Sequence, residues 1–219
     1  KHPIHVLLDE FFANAEMEGV IAEYQHKNSS CSKWLMFSDY CLDDKNKAND
    51  VMTFVLMPFE NEAKYTEMQQ KIHDMQPSDI KKTNTVDKDF LSYLKNENVL
   101  VFSFVFNDRK HFLARTYGQC LKKVKETFQM ICDCYEEWKK TACNKEILKH
   151  YEKVVNTINQ QLATLNGKNP DIKLFNDILI TAFLGAYVSV KVLEKLPIEI
   201  FGWFSDRDKV ISGKDNIIV

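Results

Sequence analysis

Aspartates that end apolar runs are the side chains in this sequence best suited to chemistry. The tripeptide Phe-Ser-Asp occurs twice, at Phe37-Ser38-Asp39 and Phe204-Ser205-Asp206, and the second copy continues as Arg207-Asp208. Strand ends are where open α/β sheets present side chains to ligands. Carboxylate oxygens are the ligands that hard cations such as Mg²⁺ and Mn²⁺ take. Two such acids side by side suit a metal-assisted displacement at a phosphodiester, in which the ion steadies the attacking and leaving oxygens. The competing explanation for Asp206-Arg207-Asp208 is a solvated turn with a surface ion pair worth at most about 1 kcal/mol.

Other charged groups are weaker candidates. Asp43, Asp44 and Asp50 fall in the polar stretch between two strand-like runs and suit a solvated turn. Asp9-Glu10 suits solvated charge on a helix. Asp79 suits a cap, and Lys81, two residues on, is either a solvated lysine or a phosphate contact. His73 lies close enough to Asp79 in the chain to serve as a proton carrier, or is a surface histidine. With only six glycines the chain shows no Walker loop, glycine-rich phosphate cradle or nucleophile elbow. Nucleoside-triphosphate enzymes and dinucleotide dehydrogenases are therefore disfavoured.

The elements that must position these acids follow from periodicity. Leu7, Leu8, Phe11, Phe12, Ala15, Val20, Ile21 and Tyr24 predict one amphipathic helix over 6–25. Residues 33–42 and 51–59 read as strands joined by the turn DDKNKAND, a hairpin. Residues 60–75 have helical composition, with Ala63, Met68 and Ile72 facing inward, and stop before Pro77. A short helix over 86–96, with Phe90, Leu91 and Leu94 inward, precedes VLVFSFVF at 99–106. That run is almost wholly apolar, which predicts a central strand covered on both faces. Three helices are predicted over 117–140, 144–165 and 171–195, the last apolar on nearly every side and expected to lie against a sheet. Pro197 opens the final Phe-Ser-Asp strand, and a turn at Ser212-Gly213 leads to the start of another strand at Ile217.

The whole is an α/β chain, a mixed sheet with helices on its faces. At 219 residues it reads as one domain, with sheet-bearing parts at 26–106 and 197–219 and a helical section at 111–195. Charged residues at 27% beside 45% apolar argue for a globular protein. A net charge of −2 shows no footprint of a general nucleic-acid binder, so such a role needs a local basic groove or a metal. Cys132-Asp133-Cys134 lacks the spacing of zinc or thioredoxin pairs, and the six cysteines read as reduced thiols in a cytoplasmic protein. The longest uncharged run, 178–190, is too short to cross a bilayer, so no membrane partner is expected. The apolar ending Ile217-Ile218-Val219 suggests an interrupted C-terminal element.

Placed together, these acids resemble the RNase H-like fold of metal-dependent nucleases, in which a first-strand Asp lies beside carboxylates from later elements. More narrowly, the chain looks like an uncharacterised bacterial branch with a first-strand acid, an acid-Ile-Lys motif and a late-strand Asp. Asp39 matches the first-strand acid, Asp79-Ile80-Lys81 the middle motif, and Asp206 or Asp208 the late acid. The match spans 33–106 and 197–219, about half the chain. It departs at the first strand, where the branch commonly has Asp-Glu-Ser-Gly and this chain has Asp39-Tyr40-Cys41. The missing second acid leaves both a complete two-metal site and a catalytically silent relative open.

The resemblance implies a Mg²⁺- or Mn²⁺-dependent nuclease, hydrolysing nucleic acid with a metal-activated water. Asp39 and Asp206 would hold the metal, Asp208 and Asp79 would complete the catalytic acids, and Lys81 and Arg207 would contact phosphate. The other reading is a non-catalytic module whose aromatic-rich section 111–195 binds a protein partner or a second copy of the chain.

Overall fold

The computed structural model describes residues 3–78, 85–109 and 121–205. Within them the order is α1 (Pro3–Phe12), α2 (Ala15–Lys27), β1 (Lys33–Cys41), β2 (Asp50–Pro58), α3 (Glu62–Met75), α4 (Lys88–Asn96), β3 (Leu100–Phe106), α5 (Leu121–Lys140), α6 (Lys145–Leu165), α7 (Ile172–Leu193) and β4 (Ile200–Ser205). The four strands form one mixed sheet in the order β3-β2-β1-β4. The β1–β2 hairpin and the β2–β3 pair are antiparallel, whereas β4 runs parallel to β1.

Alternation with period two sorts the sheet into an inner and an outer face. Trp34, Met36, Ser38 and Tyr40 of β1 point inward and are buried, as are Met52, Phe54 and Leu56 of β2. Helices α1, α2 and the C-terminal half of α7 cover that face. Ile180, Leu184, Val188 and Val192 recur every fourth residue along one side of α7 and join the same core. Its N-terminal half turns Phe175 and Leu179 into a second core, with Val124, Phe128 and Cys132 of α5 and Val155 and Ile158 of α6. One helix thus serves two cores, which explains why it is apolar nearly all round. By length and composition α7 could cross a membrane, yet 67% of that apolar window is buried inside the protein as a core helix.

Four expectations change. The predicted 6–25 helix is two helices, because Asn14 accepts the Glu16 N–H at 3.0 Å and caps a new start. The 99–106 run is an edge strand rather than a covered central one; Val101 and Val105 remain 53% and 56% exposed on the outer face. Helix α3 has no buried residue: Met68 and Ile72 are half-buried and Ala63 is exposed. In α4, Phe90 is buried but Leu91 is exposed. The five described cysteines, Cys31, Cys41, Cys132, Cys134 and Cys143, are free thiols. The Ser212-Gly213 turn and the strand start at Ile217 lie outside the described residues.

Candidate functional site

The parallel pairing of β1 and β4 puts the two Phe-Ser-Asp copies next to each other. Phe37 is the register partner of Phe204, and Ser38 that of Ser205. The two phenyl rings stack with centroids 5.7 Å apart and planes 24° from parallel. Behind them, on the inner face, the serines enter a polar network. Trp203 Nε1–H donates to Ser38 Oγ at 2.8 Å, Ser38 Oγ and Tyr40 Oη share a hydrogen bond at 2.6 Å, and Ser205 Oγ donates to Tyr40 Oη at 3.1 Å. Buried hydroxyls need such partners, and here those partners tie the end of β4 to β1 in register.

Because the serine faces inward, the aspartate after it faces outward. Asp39 is exposed, and its Oδ1 accepts the Tyr40 N–H at 3.0 Å. Across the outer face it sits opposite Thr53, whose Oγ1 shares a 3.0 Å hydrogen bond with Ser103 Oγ on β3. One row of the face is therefore polar, and the next row carries Phe37, Val55 and Phe204, the last 56% exposed. Asp206, Arg207 and Asp208, which follow Ser205 in the chain, lie outside the described residues, as do Asp79 and Lys81. His73 is exposed on α3. Among the described residues no group of three or more His, Cys, Asp or Glu is arranged to hold a metal.

Grooves in the surface lie elsewhere. One of 260 Å³ is bounded by the end of β2, α3 and α4, with Lys64, Glu67, Lys71 and Glu97 on its walls; a larger one of 560 Å³ lies between α1, α2 and the end of α7. Neither contains Asp39. The geometry that brings together Phe-Ser-Asp and the surface depressions therefore point to different places. Both grooves carry acids, Glu60, Glu67 and Glu97 in the first and Asp9, Glu18 and Glu194 in the second, but neither contains a residue of the paired Phe-Ser-Asp copies.

The most unusual charge arrangement was not expected. Arg109, just past β3, is 2% exposed and sits among three carboxylates. Its Nε donates to Asp50 Oδ2 at 2.8 Å, and its Nη1 donates to Asp177 Oδ1 on α7. Its Nη2 lies 2.9 Å from Asp43 Oδ2, close enough for an ion pair but poorly aligned for a hydrogen bond. Asp43 also pairs with Lys173. Burial pushes the Asp177 carboxyl up to about 6, against the pull of Arg109. Burial also acts to raise the Asp43 carboxyl, but its bonds to Lys173 and Arg109 outweigh it and hold the group below the ordinary value.

The turn acids Asp43 and Asp50 are thus not merely solvated: they are anchored to the body of the protein. Asp44 instead closes the turn locally, accepting the Asn46 N–H at 2.9 Å. The four partners of Arg109's cluster are scattered from position 43 to 177, so no local spacing announces them. A faint signal was available in Lys173 and Asp177, one helical turn apart at the start of the apolar run. Comparison with protein-family models, curated proteins and solved structures finds no match to this chain.

Proposed function

We propose that the chain is a metal-dependent phosphodiesterase of the RNase H-like type, acting on nucleic acid in a cytoplasmic setting. The observation that carries this reading is the in-register pairing of Phe37-Ser38 with Phe204-Ser205, each followed in the chain by an aspartate. Asp39 fits the role by its chemistry: it is a hard oxygen donor, open to solvent on the outer face of a central strand that runs on to Cys41 rather than ending at the acid, and its Oδ1 accepts the Tyr40 N–H. Asp39 and Asp206 would hold Mg²⁺ or Mn²⁺. An ion bound there would acidify a water and polarise a phosphodiester oxygen. In this reading Asp208 and Asp79 complete the acids, while Lys81 and Arg207 grip phosphate.

The test is isothermal titration of Mn²⁺ into the wild type and the Asp39→Asn/Asp206→Asn double variant. Heat of binding in the wild type alone supports the site and directs nuclease assays to it. Equal titrations in both proteins, or none in either, remove the metal reading.

A second reading rests on a different observation. Tyr135, Trp138 and Tyr151 pack ring against ring where α5 meets α6, with centroids 4.9 to 6.0 Å apart, and Trp138 stays 49% exposed. Met130, on the same helix, is 60% exposed. Aromatic anchors of this kind concentrate binding energy at protein interfaces. On this view the helical section binds a second copy or another protein. Sedimentation of the wild type and Trp138→Ala separates the two: association lost in the variant favours an interaction module, and a monomer in both removes self-association.

A further inference from the structure

We infer that Arg109 and the carboxylates of Asp43, Asp50 and Asp177 form a proton-operated clamp, fastening the β1–β2 turn to α7 more tightly when the cluster takes up a proton. This does not depend on the phosphodiesterase reading. The geometry supplies the clamp. Four separate segments converge: the turn through Asp43, the start of β2 through Asp50, the chain after β3 through Arg109, and α7 through Lys173 and Asp177. At the turn, Asp43 has φ 59°, the left-handed region that costs a non-glycine residue energy, and its N–H donates to Asp50 Oδ1 at 2.6 Å. A conformation of that kind persists only where its surroundings hold it.

The charge count supplies the proton dependence. Asp43, Asp50 and Asp177 carry three negative charges, whereas Arg109 and Lys173 supply two positive ones. One carboxylate is in excess. The groups facing Asp177 are Arg109, Asp43 and Lys173, with Asp50 on the far side of the guanidinium. Asp177 is the most buried of the three acids, its side chain 7% exposed against 20% for Asp50 and 41% for Asp43. A charge without a counter-charge costs most where water is scarcest, so the proton goes there.

The direction follows from linkage. The carboxyl of Asp177 titrates near 6 in the folded protein and at 3.8 when free, so the closed clamp holds more protons than the open one between those values. Closure weakens as pH rises through that window and then levels off, while Asp43, held below its ordinary value by Lys173 and Arg109, adds the opposite dependence at lower pH. The limit is a tenfold change in the opening equilibrium per pH unit.

Hydrogen exchange of the Asp43 amide, corrected for intrinsic rate, reads the clamp directly. From pH 5 to pH 7 its protection is expected to fall by about tenfold in the wild type. In Asp177→Asn, which balances the charges, protection should not change with pH. A flat profile in the wild type, or an equal pH dependence in the variant, overturns the proposal. So does a carboxyl ¹³C titration of Asp177 centred in the ordinary aspartate range of about 3 to 4.5. Arg109→Lys keeps the charge but not the three-way fork; protection should drop at both pH values, and unchanged protection would show that Arg109 is not the fastener.

Discussion

Replacing Arg109 by Met leaves Asp43, Asp50 and Asp177 facing one another with only Lys173 for company. Breaking a buried ion pair from one side costs about 3–5 kcal/mol, because the remaining charge stays uncompensated. Urea unfolding of Arg109→Met should show a loss of that order at pH 7, reduced at pH 5, where Asp177 holds a proton. An equal loss at both pH values would mean that the acids escape to solvent instead. This residue also marks a limit of inference from sequence. The twin Phe-Ser-Asp copies were visible as a pattern, and the parallel register brings their described residues together. Arg109 belongs to no pattern: Asn107-Asp108-Arg109-Lys110 looks like any polar turn, and burial of its guanidinium depends on acids far away in the chain.

Elements show a similar division. The hairpin, α6 and the Phe-Ser-Asp strand were legible because apolar spacing follows the period of the backbone, α3 by its composition and α7 by its nearly continuous apolar run. What spacing cannot say is which neighbour covers a face. VLVFSFVF is apolar on both sides, yet Val101 and Val105 stay exposed on its outer face, and nothing pairs with the far edge of β3 in the described sheet. The break at Asn14 was missed because the apolar pattern runs across it; Asn14→Ala should cost about 1 kcal/mol by removing the cap on α2. The contact between α7 and β4 gives a sharper test. A Cβ on Gly185 would stand 2.6 Å from Trp203 Cη2 and 3.1 Å from Phe54 Cε1. The indole is rigid and tied by its N–H to Ser38, so it has little freedom to withdraw. Gly185→Ala gains about 1 kcal/mol of helix propensity but should lose about 1–3 kcal/mol to overpacking. A lowered denaturation midpoint with shifted tryptophan emission is the expected result; a more stable variant would show that Trp203 can move.

At the scale of the molecule, α7 joins a sheet core to a helical core. Ile180→Ala opens a cavity in the first and Phe175→Ala in the second, each at about 2–5 kcal/mol. Because the two sites share one helix, each variant should lower a single transition. Unfolding seen by far-ultraviolet circular dichroism should coincide with unfolding seen by tryptophan emission. Separate midpoints for Trp138, half-exposed on α5 of the helical section, and Trp34 in the sheet would show two independent units. The strand order also bears on how the protein is made. Strand β1 is central in the finished sheet, yet its neighbour on one side, β4, lies at the far end of the described chain. A nascent chain therefore leaves the ribosome with an open edge on β1, the kind of edge that recruits foreign strands, until Ile200 to Ser205 arrive to close it. In the proposed reading Asp39 works with Asp206, which follows β4, so the site and the protection of the newborn chain would be completed by the same event.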